Sequence, residues 1–288
     1  MSRRRTFLVD NGSLRPAATL RLRELAAALS ERCATPVEPV SLLHSNKVDA
    51  AELGGEPART FGPAATRAAR EGATEITVLP LFFGPSRALT AYLPERIEQL
   101  RQTYPQITVR VAKTLVDLTG PLDLRLATAL RDAVLRTATG GEPPAVILVD
   151  HGSPVPEVTA VRNTLAGQLA ALLDGQAERV AAASMERRDG DVYRFNEPLL
   201  EDLLDQAGFS EGEVVVAMQF LSPGRHAGPD GDVAEICRAA QARHPGLATR
   251  MTPLLGEFGA VLDILQDRLR QTLSDGDDLV RISGQGRG

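Results

Sequence analysis

Residues 147–153 read Ile-Leu-Val-Asp-His-Gly-Ser, an apolar run that ends in an ionisable pair, a glycine and a hydroxyl. A short apolar run closed by a turn residue is typical of a strand that is buried on both faces. Residues 7–13 repeat the pattern as Phe-Leu-Val-Asp-Asn-Gly-Ser, with Asn11 where the second copy has His151. The pattern therefore predicts two equivalent strands, of which only the second presents an imidazole at its carboxyl end.

The repeat extends along the chain. Asp10 and Asp150 are 140 positions apart, and the tripeptide Pro-Ser-Arg at 85–87 is matched by Pro-Gly-Arg at 223–225. A segment rich in glycine, proline and threonine separates the two copies, which is typical of a linker. We predict an N-terminal half at 1–138 with a degenerate site, a linker at 139–144, a C-terminal half at 145–273 with the active site, and a flexible tail at 274–288.

Strand and helix patterns alternate within each half. Strands are predicted at 7–9, 37–43, 76–83 and 107–112, and again at 145–149, 179–185, 213–220 and 248–252. Helices are predicted at 17–32, 57–71, 92–103 and 122–136, and again at 157–173, 198–206, 232–242 and 258–273. Such alternation predicts an α/β fold with two similar halves, each containing a mainly parallel four-stranded sheet flanked by helices.

The composition excludes several classes of protein. Hydrophobic residues make up 43% of the 288 residues, which is enough for a sizeable core, and no apolar run is long enough to cross a bilayer. The net charge of -5 and the aromatic content of 4% argue against a nucleic-acid surface. Cys33 and Cys237 are isolated, which argues against disulfides and zinc-thiolate sites. The default expectation is a cytoplasmic protein that binds neither nucleic acid nor membrane.

Reactive side chains follow three successive strands of the second half. His151 ends the first strand, Glu186 follows the second, and His226 lies in the loop after the third. Because ligands bind beyond the carboxyl ends of parallel strands, we expect these side chains to share one sheet edge. Two imidazoles and a carboxylate suit a divalent transition metal ion and leave open coordination positions. The connection at 187–197 is long and charged, so Glu197 is the alternative carboxylate.

The corresponding positions of the first half are predicted to be Asn11, His44 and Ala88. An amide is a poor ligand for a transition metal ion and a methyl group is none. We therefore predict that the first half has no metal site of its own, with His44 standing where the second half has Glu186.

The doubled pattern resembles the class II tetrapyrrole chelatases, the sirohydrochlorin cobalto- and ferrochelatases, over about residues 5–272. The resemblance is carried by the strand ending in His151-Gly-Ser, by Glu186 after the next strand and by Arg225-His226 after the third. It implies a cleft between two α/β halves in which Co²⁺, Fe²⁺ or Ni²⁺ is inserted as a substrate, with no obligatory cofactor and no nucleotide. By that match, His151 and His226 hold the metal ion, and Glu186 assists or accepts a proton.

An anionic tetrapyrrole would need cations around its site, since the protein as a whole is acidic. Arg87 and Arg225 occupy matching loop positions, and a guanidinium can grip a carboxylate with two hydrogen bonds. Loop bracing is the alternative role for this pair. Asn11, His44 and Ser153 complete the predicted substrate-binding set, although Ser153 could equally cap the next helix.

The predicted function is therefore a sirohydrochlorin chelatase, a lyase of sirohaem or cobalamin biosynthesis. A non-catalytic metal- or tetrapyrrole-binding protein on the same fold is the main alternative, because the first half lacks ligands. A metal-dependent hydrolase is a third reading, but Ser153 lacks the GxSxG context of an activated serine. A monomer is favoured over a homodimer, since the joined halves can supply what a shorter homologue obtains by dimerising.

Overall fold

The computed structural model of the protein describes residues 4–274. The strands of this range are β1 (Arg4–Asp10), β2 (Val37–Ser41), β3 (Glu75–Pro80), β4 (Thr108–Val111), β5 (Ala145–Asp150), β6 (Arg179–Ser184), β7 (Gly212–Met218) and β8 (Leu247–Met251). Its α-helices are α1 (Pro16–Cys33), α2 (Phe61–Arg70), α3 (Leu93–Thr103), α4 (Arg125–Thr137), α5 (Pro156–Leu172), α6 (Leu200–Leu204), α7 (Asp232–Arg243) and α8 (Gly259–Ser274). None of the helices in this range is both long enough and apolar enough to cross a bilayer. The predicted tail lies, apart from Ser274, outside the described residues.

Two parallel sheets confirm the predicted fold class. Their strand orders are β2-β1-β3-β4 and β6-β5-β7-β8, and every pairing is parallel. All residues of β3 and β5 are buried, which explains why these strands are apolar on both faces except at Glu75, Thr77 and Asp150. In the second sheet, β5 pairs with β6 on one side and β7 on the other, so the loops after these three strands leave the sheet side by side.

Helices α2 and α6 begin later than predicted, for one shared reason. The residues before each helix are extended and form an isolated parallel bridge to the neighbouring strand, between Ser41 and Thr60 in one half and between Ser184 and Leu199 in the other. The backbone N–H of Ser41 donates to Arg59 O, and that of Ser184 donates to Pro198 O. These tertiary hydrogen bonds outweigh the helical tendency of the local sequence.

The residues group into two compact units, whose boundaries differ from those of the sequence repeat. One unit contains the described residues up to 115 and from 262 onward, and the other contains residues 116–261. Helix α4 packs against α5 and β7 of the second unit. Most of α8 belongs to the first unit, where Arg268 donates to Thr114 O and Arg32 pairs with Asp263. The division at the 139–144 linker remains a prediction about the duplication, because each unit includes a helix from across that linker.

Candidate metal site at the edge of the second sheet

The turn after β5 is held against the turn after β6 by direct backbone contacts. Met185 N donates to Asp150 O at 2.7 Å, and Glu186 N donates to His151 O at 3.2 Å. Gly152 has φ +92°, and a Cβ built there would lie 1.9 Å from Glu186 O. Only glycine tolerates both the left-handed conformation and this approach, so Gly152 is what brings His151 and Glu186 together.

The structure places all three predicted ligands side by side. His151 Nε2 lies 3.4 Å from Glu186 Oε1, and the rings of His151 and His226 are 4.5 Å apart between centroids at 69°. The three side chains are 46%, 59% and 31% exposed respectively, so an ion in solution can reach them. Glu197 is instead paired with Arg187 at 3.0 Å, which leaves Glu186 as the carboxylate beside His151.

Both ring nitrogens of His151 face oxygen acceptors. Nδ1 lies 3.0 Å from Gly152 O, and Nε2 faces Glu186. A neutral imidazole has one N–H and can donate to only one of these oxygens. Two ligands each about 2.1 Å from a metal ion at a tetrahedral angle are separated by roughly 3.4 Å. The gap between His151 and Glu186 therefore has the spacing of two ligands of one ion.

As they stand, the side chains of residues 4–274 include no set of three or more His, Cys, Asp or Glu residues that could hold an ion together. The pair of His151 and Glu186 has ligand spacing, but His226 would have to move to join it. The partial exposure of all three side chains leaves room for such a rotation.

Asp232, the first residue of α7, is a site residue that our sequence reasoning missed. Its Oδ2 lies 2.6 Å from His226 Nδ1, a hydrogen bond in which the imidazole N–H donates. Such a carboxylate fixes the tautomer of an imidazole and leaves Nε2 as the ligand atom. An aspartate six positions downstream at a helix start was the available signal. The predicted anion-binding residue Arg225 is 77% exposed and 3.7 Å from the same Asp232 oxygen.

The first unit repeats the backbone of the site but not its chemistry. Leu42 N donates to Asp10 O and Leu43 N to Asn11 O, and a Cβ at Gly12 would lie 1.7 Å from Leu43 O. These contacts match those of Gly152 with Glu186, so the position equivalent to Glu186 is Leu43. Our alignment of His44 with Glu186 was wrong by one residue. The equivalence of the two turns is set by backbone hydrogen bonds between them, which the sequence does not show.

The other predicted substrate-binding residues lie in turns. His44 is exposed, with the unusual φ of +62°, and Arg87 is exposed before the turn that begins at Ala88. Ser153 Oγ accepts a hydrogen bond from Val155 N at 3.0 Å within the turn. The alternative that Ser153 caps the next helix was wrong, because Val155 is the residue at the N-terminus of α5 and no side chain caps it. The predicted substrate contacts of these residues, and of Asn11, remain predictions.

The two repeated aspartates differ in how their charge is compensated. Burial raises the pKa of Asp150, and a hydrogen bond from Ser184 and the charge of Arg162 partly offset that effect. Burial also raises the pKa of Asp10, to about 6, and a hydrogen bond from Ser41 offers the main compensation. Within the described residues, Asp10 Oδ1 has neither solvent contact nor a hydrogen-bond partner.

Asp10→Asn is expected to stabilise the protein well above pH 6 by about 3 kcal/mol. The folded-state pKa of about 6 exceeds the unfolded value of about 4, so the ionised Asp10 favours unfolding. Stability from this group is present below pH 4 and is lost as the pH rises through 6. Urea unfolding at pH 5 and pH 8 measures the effect; a variant less stable than the native protein at pH 8 would contradict it.

Comparisons with known proteins identify the family and the fold. The family described as CbiX matches residues 5–118 and 145–272, thus both halves. No curated protein matches the chain significantly. Three solved structures are similar in fold. SirB from Bacillus subtilis with Fe³⁺ has a TM-score of 0.67 and 18% identity, covering 94% of this chain and 95% of that chain. SirB from Bacillus subtilis subspecies spizizenii in complex with cobalt has a TM-score of 0.65 and 19% identity, covering 95% of this chain and 97% of that chain; CbiX, described as the terminal enzyme for biosynthesis of siroheme in denitrifying bacteria, has a TM-score of 0.59 and 16% identity, covering 93% of this chain and 98% of that chain.

At these identities the structural likeness establishes the fold alone. The family match is broader, since it covers most of the chain and falls on the two repeats. It confirms the resemblance to the sirohydrochlorin-type class II chelatases in a duplicated form. The chain therefore belongs to the CbiX family.

Proposed function

We propose that the protein inserts a divalent metal ion, Co²⁺ or Fe²⁺, into sirohydrochlorin without ATP, as a cytoplasmic enzyme of sirohaem or cobalamin biosynthesis. The observation that carries the proposal is the assembly of His151, Glu186 and His226 at one sheet edge of a CbiX family member. Cobalt and iron accompany the SirB structures named above, which supports this choice of ions.

The side chains divide the work of insertion. The metal ion is a substrate, and His151 with Glu186 would hold it, with His226 rotating in as a third ligand. The ion displaces the two pyrrole N–H protons of the macrocycle. Glu186 is exposed beside the ligand position and can accept one of them, and a released imidazole can accept another. Before that rotation, Asp232 accepts the N–H of His226 Nδ1, which leaves Nε2 as the ligand atom.

Arginines near these residues supply the positive charge that a polycarboxylate macrocycle requires. Arg188 and Arg194 are exposed on the connection that follows Glu186, and Arg225 is exposed next to His226. Exposed guanidiniums can exchange water for substrate carboxylates at little cost, and their planar geometry favours bidentate contacts. Arg87 occupies the matching loop of the first half, and its contact with a substrate carboxylate stays a prediction from the sequence.

Mixing the protein anaerobically with sirohydrochlorin and Co²⁺ or Fe²⁺, with no nucleotide, is expected to speed the absorbance change of metal insertion. The rate above the uncatalysed background should scale with protein concentration. A protein that shifts the sirohydrochlorin spectrum on binding, yet gives no acceleration with Co²⁺, Fe²⁺ or Ni²⁺, would be a non-catalytic tetrapyrrole-binding protein.

A further inference from the structure

A fully buried arginine lies beneath the candidate site. The Arg162 side chain on α5 is 2% exposed, and its Nη1 donates to Ser184 Oγ at 2.6 Å and to Asn196 O at 2.7 Å. The same nitrogen is 3.9 Å from Asp150 Oδ1. Burying a guanidinium is costly even when it is paired, so its presence here calls for a reason other than stability.

The partners of Arg162 reach the turn that carries His151. Ser184 Oγ donates to Asp150 Oδ1 at 2.6 Å, and that oxygen also accepts a hydrogen bond from Gly152 N at 3.1 Å. The carboxylate therefore closes the turn around His151. Because Ser184 ends β6, the same contact also ties this turn to the strand that leads to Glu186.

Asn196 forms a second link, at the end of the connection that begins with Glu186. The Asn196 side chain is buried; its Oδ1 accepts from Ser153 N at 2.9 Å, and its Nδ2 donates to Ser153 O at 2.9 Å. Arg162 holds the Asn196 backbone through its carbonyl. Arg162 is thus linked to the turn of His151 in two ways. Ser184 connects it to Asp150, before His151, and Asn196 connects it to Ser153, after His151.

The first unit provides an internal comparison. Leu22 lies at the same distance from Asp10 in sequence as Arg162 from Asp150, and Pro57 takes the place of Asn196 relative to the bridge residues. Leu22, Pro57 and Ser41 line a cavity of about 260 Å³ where the second unit has its arginine network. Thus the unit with Asn11 at the position of His151 also has an apolar leucine at the position of Arg162.

We propose that Arg162 is a positioning residue of the metal site: through Ser184 and Asn196 it holds the turns of His151 and Glu186 at the separation that one ion requires. The inference rests on the proposed metal site and adds a residue that touches neither metal nor substrate. Positioning contacts of this kind are worth about 10- to 100-fold in metal affinity.

The test compares three variants. Arg162→Leu alone would leave Asp150 buried without a counter-charge, so the decisive variant is the charge-balanced Arg162→Leu/Asp150→Asn. Arg162→Lys keeps the charge but loses the longer, planar guanidinium, whose Nη1 reaches Ser184 and Asn196 while Nε and Nη2 donate to Asn163 Oδ1. Arg250→Leu removes an ion pair with Glu213 in the same unit and serves as the matched control.

Titration with Co²⁺ alone is expected to show about a 10- to 100-fold loss of affinity in the double variant and a smaller loss in Arg162→Lys. Arg250→Leu should bind Co²⁺ like the native protein. In the chelatase assay the KM for Co²⁺ should rise while the KM for sirohydrochlorin stays nearly unchanged. A smaller fraction of folded enzyme would instead lower the apparent kcat and leave both KM values as they were.

If the folded double variant binds Co²⁺ with the affinity of the native protein, the inference is wrong. If the double variant does not fold, native Co²⁺ affinity in Arg162→Lys contradicts the inference instead. Co²⁺ binding by a native protein that inserts no metal ion would refute the proposed function alone, since the titration still tests Arg162. A native protein that binds no Co²⁺ overturns both.

Discussion

Replacing His151 and His226 together by alanine is expected to lower the rate of metal insertion by about 100-fold or more. The two rings are 4.5 Å apart, and His151 Nε2 has ligand spacing to Glu186, so the double variant leaves Glu186 as the one predicted ligand. A lone exposed carboxylate holds a transition metal ion weakly. Stopped-flow absorbance with sirohydrochlorin and Co²⁺ measures the rate, and Co²⁺ titration of the same variant measures the loss of binding.

His244→Ala is the matched control, because it removes an imidazole from the same unit. His244 follows α7, and its Nε2 lies 2.7 Å from Asp205 Oδ1. Neither residue belongs to the turns after β5, β6 and β7 that carry the predicted ligands. The rate of insertion should stay within about twofold of the native rate. Full activity in the His151/His226 double variant, with a native sirohydrochlorin affinity, would place the reaction elsewhere in the protein.

Gly152→Ala is expected to destabilise the protein by about 3 kcal/mol or more and to abolish high-affinity Co²⁺ binding. The residue has φ +92°, and the added Cβ would lie 1.9 Å from Glu186 O. The methyl group would push the β5 turn away from the β6 turn and so separate His151 from Glu186. Urea unfolding gives the loss of stability, and Co²⁺ titration of the folded fraction gives the loss of binding.

Two further glycine variants separate backbone strain from collision. Gly175 has φ +70° with nothing within 4 Å of its Cβ position, so Gly175→Ala should cost only about 1 kcal/mol. Gly12→Ala reproduces the collision in the first unit, 1.7 Å from Leu43 O, and should destabilise strongly without changing Co²⁺ affinity in the folded protein. If Gly152→Ala were no more harmful than Gly175→Ala, the close approach would have no role at the site.

Much of the candidate site was predictable from local pattern. The parallel β/α scheme follows from apolar runs that alternate with helical spacing, and the carboxyl ends of neighbouring parallel strands necessarily share an edge. His151, Glu186 and His226 could therefore be grouped before their distances were known. The starts of α2 and α6 were missed because a strand bridge, which is a tertiary contact, competes with the helix.

The partners of these residues were harder to predict. Asp232 is one of many acidic residues, and its position six residues after His226 at a helix start is a weak signal for the group that orients the imidazole. The sequence alignment also matched His44 with Glu186, one residue too far along. Backbone hydrogen bonds, which cannot be read from the sequence, place Leu43 opposite Gly12 instead. Arg162 sits within an amphipathic helix pattern where a charge normally indicates the solvent face, yet it is fully buried.

The sequence by itself determined the duplicated α/β architecture and the lopsided distribution of ligands, with an imidazole at residue 151 and an amide at residue 11. Those properties depend on residue type and on spacing along the chain. Only the tertiary structure decided which carboxylate faces His151, which one orients His226, and that a buried guanidinium braces the turns. His151 with Glu186 and Arg162 with Asn196 join residues distant in sequence, at separations set by strand register and by one glycine that lets two turns meet. His226 and Asp232 are close in sequence, but the conformation of the loop between them decides whether they touch.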